Sequence, residues 1–193
     1  MITDINQLDL NKRYTYADYL LWQFSERVEL IKGRVFKMSP APKRIHQSIS
    51  INLSAMFWNF FDKHKCKLFA APFDVRLSKK KKDRQIETVV QPDISVICDI
   101  SKLDDRGCLG APDLIVEILS PSTRKKDITD KFVLYEENSV KEYWIVDADN
   151  QTLLKYVLQN KKYIGEKILD ASENVTSTIF PDLTIELSEV FEN

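Results

Sequence analysis

Apolar positions along the chain fall into short periodic runs separated by polar breaks. From Ile45 to about Lys65, Ile49, Leu53, Met56, Phe57, Phe60 and Phe61 share one helical face, which predicts a long core helix. Ahead of it, Thr15 to Phe24 (TYADYLLWQF) begins on a good N-cap and keeps helical spacing, so a short first helix is expected there. Arg27 to Ile31 and Arg34 to Met38 flank the turn-prone pair Lys32-Gly33, and Ser39-Pro40 ends the second run, which together predict a hairpin. Strand-like runs follow at Phe73 to Leu77, Val89 to Cys98 and Leu114 to Leu119. The last is apolar at every position but one, as a central strand covered on both faces would be. Ser122-Thr123 are placed to cap a helix running to about Asn138, after which EYWIVD, Glu142 to Asp147, returns to strand. Strand, helix and strand in that order predict a crossover joining parallel strands. Runs at Leu153 to Leu158, Tyr163 to Leu169 and Thr184 to Leu187 complete an α/β fold, a central mixed sheet flanked by helices. No repeat or linker divides the chain, so residues 1–193 read as a single domain.

Composition narrows the class. The chain has 193 residues, 44% hydrophobic and 30% charged, with 28 Lys and Arg against 29 Asp and Glu, and so a formal net charge of −1. Roughly 70% of the unfolded surface is buried at this size, enough for one core. Cys66, Cys98 and Cys108 are odd in number and lack paired spacing, which predicts no disulfide framework and a reducing compartment or an indifferent one. Cys98 reads as a small buried hydrophobe, and Trp22, Trp58 and Trp144 as core. The opening MITDINQLDLNKR has no apolar segment, and no apolar run approaches about 18 residues, so a cytoplasmic protein without membrane contact is expected. Near-zero net charge excludes a nucleic-acid coat protein, whose affinity needs excess Lys and Arg. Locally, Lys79, Lys80, Lys81, Lys82 and Arg84 form a basic run, read first as a solvated loop and second as a phosphate contact. There is no phosphate-cradling glycine loop, and the two histidines leave little for a Ser-His-Asp triad.

Two acids stand where the pattern calls for apolar residues: Asp93 after Pro92 in VVQPDISVIC, and Glu117 in LIVEIL. A buried carboxylate is costly unless paired, hydrogen-bonded or bound to a metal. If their strands are neighbours, the two Cβ atoms lie about 5 Å apart, close enough to share one cation, and hard oxygen donors favour Mg²⁺ or Mn²⁺. Pro112-Asp113 and Pro181-Asp182 repeat the Pro-Asp dipeptide, but Asp113 stands four strand residues from Glu117, roughly 13 Å away. Asp182 lies in a late acidic segment. Asp127, Lys131 and Tyr135 recur every four residues in the helix after Glu117, so all three project from one face. Lys is rarely buried unless paired, and the two acids are its natural partners. Two carboxylates, a Lys and a divalent ion form an arrangement that hydrolyses phosphodiesters; a plain ion-paired core is the other reading of the same spacing.

The strings PDISVIC, APDLIVEILSPST, Asp127-Lys131-Tyr135 and EYWIVD, with the early VELIKGRVFKMSPAPKRIHQSI, resemble the Uma-two family of restriction-endonuclease-like proteins in the PD-(D/E)XK superfamily. The resemblance spans roughly residues 14 to 191 and implies that superfamily's α/β core. It assigns the two signature acids to Asp93 and Glu117. Leu119 stands where the generic pattern has Lys, which makes Lys131 the candidate for that amine. Glu29 matches an early acid that adds a metal ligand or binds its water, while Tyr135 and His46 match family positions without an assigned role. What the resemblance implies is a Mg²⁺- or Mn²⁺-dependent nuclease acting on DNA, with Asp93, Glu117 and Glu29 as ligands and Lys131 as the water-orienting or charge-stabilising cation. Residue by residue, a plainer reading stands beside each role. Glu29 can pair with Arg27 or Arg34 across its hairpin, and His46 can serve as a surface or capping residue. The rival reading is a catalytically weak or silent binding module on the same fold; a third is a homodimer or partner-recruiting subunit.

Overall fold

The structure, a computed structural model, describes residues 2–38, 42–121 and 124–192. After a 3-10 turn at Ile5–Gln7 come α1 (Tyr16–Tyr19), β1 (Val28–Ile31), β2 (Arg34–Lys37), α2 (Arg44–Phe61), β3 (Lys67–Ala70), β4 (Val75–Arg76), β5 (Val89–Val90) and β6 (Ile94–Ile97). Next are β7 (Leu103–Asp104), β8 (Gly107–Leu109) and β9 (Leu114–Leu119). A crossover segment then runs as α-helix over Arg124–Lys126, π-helix over Asp127–Lys131 and α-helix over Phe132–Glu137. The chain finishes with β10 (Glu142–Asp147), β11 (Thr152–Gln159), β12 (Lys162–Gly165), β13 (Leu169–Asp170), β14 (Asn174–Thr176), β15 (Thr184–Glu186) and a terminal helix, Leu187–Val190.

Two sheets organise the molecule. The larger runs β12-β11-β10-β9-β6-β3 with β13 on β11, and is mixed: β9 and β10 are parallel while the other pairs are antiparallel. Parallel pairing of β9 with β10 through a helical crossover is what the strand-helix-strand order predicted. The smaller sheet runs β2-β1-β5-β4-β8-β7. All six residues of β9 are buried, because α2 covers one face of the large sheet and the crossover segment the other. On the α2 face, Ile49, Leu53, Phe57 and Phe61 pack on Val116, Ile118 and Trp144, each fully buried side chain contributing roughly 1.5–3 kcal/mol. Ile115, Leu119, Leu134 and Tyr135 fill the opposite side.

Local chemistry explains the hairpin. Ile31 pairs with Arg34, leaving Lys32 (φ 49°) and Gly33 (φ 80°) as a two-residue turn with both residues left-handed. That turn matches the twist of the flanking strands and favours Gly at its second position. Ser39-Pro40 and Ser122-Thr123 lie outside the described residues.

Several expectations need correction. The first helix stops at Tyr19 instead of Phe24: Asp18 accepts hydrogen bonds from the Thr15 backbone and hydroxyl at 2.8 Å, but Trp22 leaves the helix to pair with Ile2 and join Tyr14, Tyr19 and Phe24. Aromatic packing outweighs local propensity there. The long helix ends at Phe61, and Trp58, expected in the core, is 60% exposed on its outer face. Val89 to Cys98 is two strands in two sheets, since Pro92 has no N–H to continue the ladder. Tyr163 to Leu169 likewise splits into β12 and the start of β13, and Leu187 opens a helix instead of ending a strand. A strand that periodicity missed, β3, pairs with β6, which sets Cys66 just before β3 beside Cys98 just after β6. The two form a disulfide, with Cα atoms 3.9 Å apart. Cys98 is thus half of a cross-strand bridge, and Cys108 is the buried free thiol.

Candidate active site

The break between β5 and β6 positions the first acid. Pairing of Ile94 with Val116, continued one residue, sets Asp93 opposite Glu117 on adjacent antiparallel strands. The Ile118 N–H donates to Asp93 Oδ2 at 2.7 Å and fixes that carboxylate at the mouth of the sheet. Asp93, Glu117, Asp127, Lys131, Lys126 and His46 line one cleft of about 340 Å³, between the first turns of α2 and the crossover segment.

Lys131 joins the acids. Its Nζ lies 2.8 Å from Glu117 Oε1, 3.0 Å from Glu29 Oε1 and 3.4 Å from Asp127 Oδ1. Tyr135 donates to the same Glu117 oxygen at 2.6 Å from behind the cleft, and Tyr143 donates to the Asp127 carbonyl at 3.1 Å. Glu29, fully buried in β1, meets Lys131 through one oxygen and Lys126 through the other at 2.5 Å, and accepts a bond from the Gln91 N–H. His46 Nε2 is 3.4 Å from Asp93 Oδ2.

Electrostatics set the protonation states. Burial raises the Glu117 pKa and Lys131 pulls it down, but the neighbouring Asp127, Asp93 and Glu29 push it up again, so its ionised form is disfavoured on balance. Glu29 is the opposite case: burial raises it, yet Lys131 and Lys126 together hold it below the usual carboxylate range. Burial lowers Lys131, and three carboxylates more than offset that, keeping it charged. For His46, burial lowers the pKa while the Asp93 carboxylate and the Ile118 backbone raise it further, so the balance is upward. Burial and the Glu117 charge keep the Tyr135 phenol neutral.

Four carboxylates against two lysines leave this cluster short of positive charge, and a divalent ion beside Asp93 and Glu117 would hold Glu117 ionised. The donor set fits such an ion: two hard carboxylates from neighbouring strands, with room in the cleft for water and substrate oxygens. Among the described residues no group of three or more His, Cys, Asp or Glu is arranged to hold a metal. Both Glu29 oxygens are engaged by lysines.

The sequence-predicted residues therefore divide. Asp93, Glu117, Asp127, Lys131 and His46 share the cleft wall, and Glu29 and Tyr135 stand directly behind it. Lys79 to Lys82 and Arg84 are exposed around a 3-10 turn, Asp83–Gln85, and none lines the cleft. Lys126, Gln91 and Lys43 also line it, as does Arg27, which pairs with Gln91 and not with Glu29. Lys126 is five residues from Lys131, off the four-residue spacing that marked the Asp127 face, so a helical wheel hides it. Gln91 carried one usable signal, its place beside the Pro-Asp pair.

A model of the Uma2 family, described as "Putative restriction endonuclease", matches residues 16–188. The chain belongs to the Uma2 family. A crystal structure of "a putative nuclease belonging to DUF820" from Anabaena variabilis shares the fold of this Uma2 chain, with a TM-score of 0.71 at 20% identity, over 92% of this chain and 97% of that one. An uncharacterised protein of Synechocystis is 30% identical over 134 residues, 68% of this chain and 67% of the relative. No helix among the described residues is long and apolar enough to cross a membrane.

Proposed function

We propose that this Uma2 protein hydrolyses DNA phosphodiester bonds with Mg²⁺ or Mn²⁺ held by Asp93 and Glu117. The observation that carries the reading is the pairing of those two acids across β6 and β9 at a cleft, with the buried Lys131 ammonium 2.8 Å from Glu117. The family's description as "Putative restriction endonuclease" supports it, as does the Anabaena fold relative's as "a putative nuclease". A divalent ion bound there supplies a Lewis acid that acidifies water and offsets charge on the phosphate. Around it the chain's own groups have separate tasks. Asp93 is oriented by the Ile118 N–H and flanked by His46. Lys131 and Tyr135 fix the Glu117 carboxylate, and the Lys131 charge favours the added negative charge of a phosphorane-like transition state. Glu29, tied to both lysines, positions those amines.

Supercoiled, linear and single-stranded DNA incubated with Mg²⁺, Mn²⁺ or EDTA tests this. Cleavage with either metal, absent in EDTA and in a folded Asp93→Ala variant, is the expected result. Equal cleavage by that variant would retire the proposal. A second reading has an observation of its own: the buried Lys131 ammonium lies within 3.4 Å of three carboxylates, as in a structural ion-pair network. It takes the protein to be a binding module on the nuclease fold. Calorimetry separates the two, because this reading expects no Mn²⁺ affinity above background and no change in Glu117→Gln.

A further inference from the structure

Two lysines reach the acid cluster, and their hydrogen-bonding capacities differ. An ammonium carries three N–H donors. Lys131 donates to Glu117, its ammonium also faces Glu29 at 3.0 Å and Asp127 at 3.4 Å, and its side chain is only 4% exposed. A bound anion could reach Lys131 only by competing with these buried carboxylates, and losing such a pair is costly. Lys126 meets one partner among the described residues, Glu29 Oε2 at 2.5 Å, and its side chain is 14% exposed on the cleft wall. Two of its donors therefore remain for a ligand.

The backbone explains why both amines reach one carboxylate. Residues five apart in an α-helix, at about 100° each, advance some 500° and diverge by about 140°. The segment Asp127–Lys131 is instead a π turn, whose hydrogen-bonded ring closes over five residues and brings i and i+5 toward one side. Lys126 and Lys131 stand at the two ends of that step and grip the two oxygens of Glu29. Elsewhere on the wall, Arg27 is held by Gln91 Oε1 at 2.6 Å through Nη2, and Lys43 lies exposed. Lys126 is the wall cation tied through Glu29 to the acids, with donors to spare.

We infer that Lys126 is a substrate-binding residue that donates to a non-bridging oxygen of a phosphodiester seated in the cleft, with Glu29 as its positioning residue. The inference rests on the reading that the cleft receives a nucleic-acid strand. It moves the role of touching substrate from Lys131 to a residue the four-residue helical spacing does not mark.

The test is binding of a fluorescently labelled DNA duplex to the full chain, with Ca²⁺ in place of Mg²⁺, read by anisotropy over a range of salt. Lys126→Met should weaken binding about tenfold and lower the salt slope by about one, while Lys126→Arg stays within about threefold of the parent. Unchanged affinity and slope in a Lys126→Met protein with the parental melting profile would overturn the inference. If that variant fails to fold, amine labelling of the unaltered protein decides. Duplex should slow acetylation of Lys126 at least fivefold relative to the average exposed lysine, and no protection overturns the inference. Binding that depends on Lys126 without cleavage under any metal would sink the nuclease reading alone. An unaltered protein that binds no duplex sinks the Lys126 assignment itself.

Discussion

Glu117 and Glu142 are both buried glutamates on adjacent parallel strands, and they face opposite sides of the same sheet. Glu142 accepts from the Trp144 indole at 2.6 Å, from the Ser177 hydroxyl at 3.1 Å and from the backbone N–H groups of Thr178 and Ile179, each at 3.0 Å. Its donors are neutral and fixed, it lines no described cleft, and among the described residues no cation pairs with it. Glu117 shares a single lysine with two other acids, faces a cleft and has its ionised form disfavoured by Asp127, Asp93 and Glu29. The contrast separates an acid that ties down a loop from one held in an electrostatically unfinished site. Burial of a carboxylate alone therefore identifies nothing. Identity and charge of its partners decide.

The largest expected effect lies on the Glu117 side. Asp93→Ala should lower metal-dependent DNA cleavage by roughly 10³-fold, the upper range for removing one electrostatic group at a reacting centre, with the urea midpoint little changed. Loss of folding instead would erase the distinction between the two acids. On the Glu142 side, Glu142→Ala leaves four donors unpaired and should cost about 3 kcal/mol in urea unfolding, while activity per folded molecule stays at the parental level.

Protonation gives a third discriminator. Glu117 has its pKa raised by burial to about 8 in the folded chain, against 4.5 as the ordinary value. The folded state then holds a proton that the unfolded state has released, so this group's stabilisation is complete below about pH 4.5 and is lost as pH rises toward 8. Without metal, the melting temperature should fall by several degrees between pH 5 and 8. Glu117→Gln should flatten that fall and Glu142→Gln should leave it intact. A flat profile in the parent protein would show that Lys131 alone already balances Glu117. The smallest effect expected is that of Ser177→Ala, which removes one of three donors to Glu142 Oε2 and should cost about 1 kcal/mol with no change in the pH profile.

How far the site was legible depended on whether its signal was local. Asp93 and Glu117 stood out because an acid inside an apolar run conflicts with its neighbours, and Lys131 because it fell on a helical stripe with Asp127 and Tyr135. Glu142 conflicts with EYWIVD in the same way yet raised no suspicion, since it sits at the strand's first position. Lys126 and the outward-facing Trp58 escaped because both depend on helix phase: a π turn in one case, the face that α2 turns to solvent in the other. The Cys66–Cys98 bridge escaped because it needs β3, a short strand with no periodic signature, set beside β6.

By itself the sequence determined the α/β class, the hairpin turn, the long helix, the buried central strand and its parallel return, together with the acids that burial cannot tolerate unaided. These follow from periods of two and 3.6 residues and from turn chemistry, which act over a few neighbouring positions. Only the tertiary structure decided where VVQPDISVIC changes sheets, which lysine retains spare donors, and which buried glutamate is quieted by neutral partners. Each of those depends on groups far apart in the chain meeting in one place, and pairing across such distances leaves no mark on local spacing.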